Sequence, residues 1–405
     1  MNYSLAMKIN HWPQPLKQAL PVLQQIEAAG FEAYFVGGCV RDTLLEQPIH
    51  DVDLATSAYP EEIKQIFQHT IDTGIEHGTV TVVWQQQNYE ITTFRTESGY
   101  QDFRRPDQVT FVRSLQDDLK RRDFTINALA VRSTGEIIDL FSGIQDLQHH
   151  EIQAVGQANE RFHEDALRMM RAVRFQSQLD FTIAPATLAG IQTNASLLKK
   201  IAVERIHTEF IKLMQGRARR RALQSMWQSQ LYRFCPQLQL YDFRKLIEQT
   251  TDQPLIQEAS IWSLLGYLWQ LDHLAMKQLL KAWKTSNEVL KVAQTATQLL
   301  LHDPLNDWNL YQARASAVAV ATEVLQVVGQ NKVATALQQR WTHLPLHQPA
   351  DLQINGQIIM QACQQPAGPQ IGSLLTLVQQ KIIQRQLAND QQAIVHFLKI
   401  YLSRN

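Results

Sequence analysis

The hydrophobic pattern of this chain changes its period once, between about residues 145 and 160, and that change limits the architecture to a mixed α+β head followed by an all-helical remainder. In the head, residues 31–36 form a short apolar run that ends at Gly37-Gly38, which reads as a strand entering a tight turn. The β-branched and aromatic runs 79–84 and 89–95, separated by residues 85–88, predict a hairpin. Pro60 after Ser57 opens a helix, whereas residues 96–107, polar and carrying Gly99 and Pro106, read as a mobile loop. From Glu160 onward the pattern is helical, with breaks near Gly216, Pro236, Pro254, Pro304, Pro345 and Pro366 to Pro369. Beyond Thr285 the helices are rich in Gln, Leu and Ala and carry no recognisable chemistry.

With 405 residues, 45% of them hydrophobic, two to four domains are expected, since single cores rarely grow beyond about 250 residues. No run approaches the roughly 20 apolar residues of a membrane span, and residues 1–15 carry no export-signal pattern, so a cytoplasmic protein is expected. Cys39, Cys235 and Cys363 stand far apart without a CxxC pair, which predicts reduced thiols and no zinc site. The 38 basic residues balance 38 acidic ones, which argues against a protein that coats nucleic acid by sheer positive charge. One segment departs from that balance: Lys199, Lys200, Arg205, Lys212, Arg217, Arg219, Arg220 and Arg221 face only Glu204 and Glu209. Such a run is either a solvated helix face or a phosphate-contacting surface.

The chemistry concentrates at Gly37-Gly38-Cys39-Val40-Arg41-Asp42, followed by Asp51-Val52-Asp53. Two glycines after a strand let backbone approach a ligand, and a following helix start offers N–H groups to phosphate, with Arg41 adding a charge-assisted contact. Asp-x-Asp on a strand puts both carboxylates on one face, a site for a hard divalent ion such as Mg2+. Singly these are weak signals; in this order they resemble the polymerase-β-like nucleotidyltransferase superfamily, and closely the family of CCA-adding tRNA nucleotidyltransferases and poly(A) polymerases. Further blocks carry the same resemblance: residues 121–130 (RRDFTINALA), residues 138–147 with Asp139, Gly143 and Asp146, residues 164–175 (EDALRMMRAVRF), and Val203-Glu204-Arg205-Ile206 with Glu209.

Residues 164–175 read as one helix, with Phe162, Ala166, Met169, Met170 and Val173 on an apolar face and Asp165, Arg168, Arg171 and Arg174 opposite. An ionised Asp only accepts hydrogen bonds and an Arg only donates, so Asp165 and Arg168 together match the amino group and ring acceptor shared by cytosine and adenine. Uracil and guanine present a carbonyl where the Asp expects an amino group. The resemblance implies this same role for Asp165 and Arg168 with CTP and ATP, places Gly38, Arg41, Arg122, Arg171 and Arg174 at the nucleotide, and gives the 138–147 and 203–209 blocks structural roles. Asp51 and Asp53 are the expected metal ligands, and Glu90 is a candidate third catalytic acid.

The fold implied is a head with a small mixed sheet (1–147), then a helical neck (148–215), body (216–290) and tail (291–405). The activity implied is addition of CCA to the 3′ end of tRNA without a nucleic-acid template, with no obligatory protein partner evident. A poly(A) polymerase would share every block but often carries a basic C-terminal extension, which is absent; a CC-only enzyme tends to lack part of the segment between the first two blocks, and 95–107 is intact. A non-catalytic tRNA-binding relative would lose a metal aspartate, and a small-molecule nucleotidyltransferase would not need the Asp165 to Arg174 segment. His302-Asp303 lacks the companion histidines of a phosphohydrolase and reads as a loop pair. RNA would be held by shape, with Lys199, Lys200, Arg217, Arg219, Arg220 and Arg221 as candidate backbone contacts, continued by Lys381, Arg385 and Lys399.

Overall fold

The computed structural model describes residues 7–101 and 105–404. The chain forms two compact units, residues 1–213 with 221–235, and residues 214–220 with 236–405.

The first unit is organised by a mixed sheet. Its strands are β1 (Ala33–Val36), β2 (Asp53–Thr56), β3 (Thr70–Gly74), β4 (Thr79–Trp84) and β5 (Gln87–Thr93), with two more supplied after an excursion. That excursion is a separate antiparallel ribbon of β6 (Arg95–Gln101) and β7 (Arg105–Phe111). The chain then returns as β8 (Leu129–Val131) and β9 (Ile137–Asp139) to give the sheet order β3-β4-β5-β2-β1-β8-β9, in which only β2 and β5 run parallel. The expected hairpin is present, its turn tightened to Gln85 and Gln86 at φ 50° and 65°, as a two-residue connection between twisted strands requires. The segment expected to be a mobile loop is instead largely the β6–β7 ribbon, with residues 102–104 outside the described residues. A two-stranded ribbon leaves one side of each backbone unpaired, which is why Gly99 and Pro106 do not prevent it.

Helix α1 (Gln14–Ala28) covers the sheet with Leu16, Ala19, Val22, Leu23 and Ile26, all buried at the three-to-four spacing of one helix face. Tyr34, Val36, Ala55, Phe94, Leu115, Leu119 and Ala130 form a core cluster under the sheet, each large side chain contributing about 1.5–3 kcal/mol by leaving water. The short helices α2 (Gly38–Leu44), α3 (Pro60–Ile66), α4 (Leu115–Lys120) and α5 (Gly143–Gln148) follow strands directly. Asp139 accepts from the N–H groups of Phe141, Gly143 and Ile144, tying α5 to the end of β9. Helices α6 (Ala158–Glu164), α7 (Leu167–Leu179), α8 (Pro185–Asn194) and α9 (Val203–Met214) follow; a two-residue parallel ladder of β10 (Glu151–Ile152) and β11 (Thr182–Ile183) interrupts the expected all-helical run.

The second unit is helical. Trp262 and Trp283 pack with ring centroids 5.2 Å apart at its core. Gly266 lets the helix Glu258–Leu268 pack closely on Asn287–Leu301, since a Cβ there would lie 2.8 Å from Thr297. The expected breaks hold: helices end at Met214, Leu301 and Ala362, just ahead of Gly216, Pro304 and Pro366. His302 and Asp303 lie in the connection after Leu301, with the His302 ring against Gln298. All three cysteines are free; burial pushes the Cys39 thiol up to about 12 and raises Cys235 as well, so neither is a thiolate at neutral pH.

Candidate active site

A cleft of about 660 Å3 in the first unit gathers nearly all the residues singled out above. Gly38, Arg41, Asp51, Asp53, Arg122, Asp165, Arg168, Arg171 and Arg174 line it, and in all eight arginines face five aspartates there. That surplus of cations is what a polyphosphate chain needs.

The floor is the end of β1 and the start of β2. Gly37 turns the chain at φ 71°, ψ −133°. A Cβ at Gly37 would stand 3.1 Å from Arg122 Nη1 and 3.6 Å from Asp53 Oδ2, so the absence of a side chain lets turn, arginine and acid converge. Asp53 begins β2 while Asp51 lies in the coil before it, so the two acids are not both on a strand as expected; they nevertheless meet at the same wall. Glu90 pairs with Asp53 in the parallel β2–β5 register, which puts the two side chains on the same face of the sheet. Partial desolvation of Asp53, with the charges of Glu90 and Asp51, raises its carboxyl above the usual range against the pull of Arg122. Clustered acids in that condition favour a cation. Among the described residues no three His, Cys, Asp or Glu side chains form a ready cage. Two exposed carboxylates suffice for a hard divalent ion whose remaining ligands are substrate oxygens, so the donor set fits such an ion.

The basic wall is held by buried acids. Asp118, 1% exposed, accepts from Arg121 Nη2 at 2.7 Å and Arg122 Nη2 at 3.2 Å, and against its desolvation the two guanidiniums keep its carboxyl below the usual range. Arg122 Nε finds no acceptor among the described residues. Asp123 is also desolvated, yet Arg171 at 2.6 Å, with Asn127, holds its carboxyl down at about 2. Arg41 is clamped by both oxygens of Asp42 and donates to Asn127 Oδ1 at 2.8 Å. Arg174 pairs with Glu209 at 2.8 Å, and burial lowers its guanidinium to about 10, still charged at neutral pH.

Phe175 is the shared platform: the guanidiniums of Arg41, Arg171 and Arg174 lie 5.1, 5.3 and 4.0 Å from its ring centroid, and Phe124 packs edge-on behind it. Phe175→Leu keeps apolar volume but removes three cation–π contacts of about 0.5–1 kcal/mol each. It is expected to weaken binding of a nucleoside triphosphate about tenfold, measured by calorimetry.

The helix expected from Glu164 is broken. Asp165, with φ −138° and ψ 104°, lies between α6 and α7, so it shares the cleft with Arg168 but not a helix. Its Oδ1 accepts from the N–H of Leu167, and Arg205 of α9 donates to Oδ2 at 2.7 Å. Arg168 is held separately by Glu164 at 2.6 Å and the carbonyl of Arg121 at 2.7 Å. The apolar face is as expected, with Phe162, Ala166, Met169, Met170 and Val173 all buried.

Sequence reasoning missed Asp118 and the positional roles of Asp123, Asn127 and Phe175, and it gave Arg205 a structural role first, or a place in the basic run, rather than one in the cleft that it lines. The basic run also needs correcting. Arg219 is fully buried and donates to the carbonyls of Met214 and Gln253, so it is not an RNA contact. Its neighbours Arg220 and Arg221 are exposed, held by the Ile247 carbonyl and by Asp180, and Lys199, Lys200 and Arg217 are exposed as well.

Comparison with known proteins agrees with this geometry. Residues 33–153 match the Poly A polymerase head domain, residues 180–241 the probable RNA and SrmB-binding site of polymerase A, and residues 253–398 the putative tRNA nucleotidyltransferase domain 2. Head and cleft therefore define a nucleotidyltransferase, a class whose chemistry is generally metal-dependent. The chain is 52% identical to a CCA-adding enzyme of Latilactobacillus sakei over 97% of its own length and all of the relative's, and 48% identical to one of Enterococcus faecalis over 97% and 98%. The solved CCA-adding enzyme of Bacillus stearothermophilus in complex with CTP superposes with a TM-score of 0.87 at 36% identity, over 97% and 98% of the two chains. This chain belongs to the family of CCA-adding enzymes.

Proposed function

We propose that this protein adds CCA to the 3′ end of tRNA in the cytoplasm, using CTP and ATP with Mg2+ and no nucleic-acid template. The observation that carries this reading is the joining, in one cleft, of the Asp51/Asp53 pair with the Asp165/Arg168 pair amid eight arginines. Arg41, Arg122, Arg171 and Arg174 bind the triphosphate, and Asp165 accepts the N4 or N6 amino hydrogen while Arg168 donates to N3 of cytosine or N1 of adenine. The RNA 3′ oxygen bonds to the α-phosphorus as the bond to the departing pyrophosphate breaks. Mg2+ held by Asp51 and Asp53, with Glu90 beside them, would supply Lewis-acid stabilisation of the developing charge. The division into head (1–147), neck (148–215), body (216–290) and tail (291–405) belongs to the same reading, with Lys199, Lys200, Arg217, Arg220 and Arg221 as RNA contacts.

The test is incubation with Mg2+ and tRNA transcripts ending before CCA or after CC, with CTP and ATP supplied separately and together. The shorter transcript is expected to gain three nucleotides and stop. A long tail from ATP alone indicates a poly(A) polymerase, and arrest at CC indicates partial addition; either result overturns the proposal.

A further inference from the structure

Asp165 and Arg168 read the base in the proposal above, but they are not fixed in the same way. Arg168 is anchored by Glu164 across the break between α6 and α7, by the Arg121 carbonyl and, at 3.4 Å, by the Arg161 carbonyl. Asp165 lies in the break between α6 and α7 on extended backbone, where its own segment supplies a single hydrogen bond, from the N–H of Leu167. The remaining restraint comes from α9: Arg205 donates through Nη2 to Oδ2 at 2.7 Å and through Nη1 to Oδ1 at 3.4 Å, and the pair is only partly exposed, at 27% and 19%.

We propose that Arg205 is the positioning residue for base selection: its forked hydrogen bonds hold the Asp165 carboxylate as a fixed acceptor for the amino group of C and A, and so set the preference over U and G. This rests on the functional reading above. A carboxylate offers about four acceptor positions. Leu167 and the two Arg205 contacts use three, which leaves one on Oδ2 for the base. The planar fork of arginine fixes both carboxylate oxygens at once, as a single N–H donor cannot. Glu209, one turn further along α9, engages Arg174 rather than this pair, so the Arg205 contact is separate from the support of the phosphate-binding wall.

Without Arg205 the Asp165 side chain keeps one hydrogen bond and turns toward water. Arg168 stays in place, and once the carboxylate no longer faces O4, uracil can shift so that a ring carbonyl, rather than its protonated N3, accepts from Arg168. The loss therefore falls on selectivity before it falls on turnover. The test measures kcat/KM for CTP and UTP on a tRNA transcript ending before CCA, in wild type, Arg205→Gln and Arg205→Lys. Wild type is expected to prefer CTP; Arg205→Gln is expected to lower the CTP-over-UTP ratio by about tenfold or more, through a higher KM for CTP, with kcat/KM for UTP within about threefold of wild type. Arg205→Lys, which keeps the charge but not the fork, is expected to recover part of the ratio. A parallel fall for both nucleotides marks Arg205 as a purely structural support and overturns the inference, as does an unchanged ratio. If wild type adds neither C nor A, the functional reading fails first, and that result is distinct from either of these.

Discussion

Asp53→Ala is expected to lower the rate of nucleotide addition by about a thousandfold or more, because the ion proposed to stabilise the transition state by several kcal/mol would lose one of the two carboxylates proposed to hold it. The same change is expected to leave the melting temperature equal to or above that of wild type. Partial desolvation and the neighbouring charges of Glu90 and Asp51 raise the Asp53 carboxyl above its ordinary range, so its ionisation at neutral pH opposes folding. Activity lost while stability is kept is what a functional acid in a like-charged cluster should show. Single-turnover rates at saturating nucleotide, together with a thermal melt, check both halves. An activity within tenfold of wild type would remove Asp53 from the metal site.

Asp123→Ala is expected to act in the opposite sense, on the fold. Asp123 is 8% exposed and accepts from Arg171, Asn127 and the N–H of Phe124. Its removal leaves the Arg171 guanidinium without its carboxylate and Asn127 without its anchor, and Asn127 in turn holds Arg41. Loss of one partner of a buried pair costs about 3–5 kcal/mol, and about 2–3 is expected here because Arg171 is partly exposed. At about 2–4 °C per kcal/mol for a folding unit of about 150–250 residues, the range of the first unit, its melting temperature should fall by about 4–12 °C. Because the folded Asp123 carboxyl is held at about 2, below its unfolded value near 4, its contribution is complete above pH 4 and is lost as pH falls toward 2. Urea titrations of wild type and Asp123→Asn at pH 5, 4 and 3 should converge as the pH drops. Parallel curves would show that Asp123 is not the linked group.

What could be read from the sequence and what could not divide along physical lines. That the Gly37 turn, the paired acids and the arginines meet in one cleft was legible because the binding of phosphate and a metal proposed for them would restrict residue type over short spacings. The apolar face of α7 was legible from its period. The break at Asp165 was not: nothing in Glu164-Asp165-Ala166-Leu167 departs from a helical pattern, and the partner that engages the side chain, Arg205, comes 40 residues later. Arg219 read as a surface charge because a basic cluster carries no sign of its acceptors, which include the carbonyl of Gln253, 34 residues away. The β6–β7 ribbon was hidden by Gly99 and Pro106, which argue for a loop wherever the pairing partner is unknown.

The central claim is that protein side chains in a single cleft choose the base. It is tested most directly by calorimetric binding of CTP, ATP, UTP and GTP to the RNA-free protein, with Asp165→Ala alongside. CTP and ATP are expected to bind about tenfold or more tightly than UTP and GTP, with the difference lost in Asp165→Ala. Equal binding of all four nucleotides by wild type would contradict the account and place base selection outside the cleft.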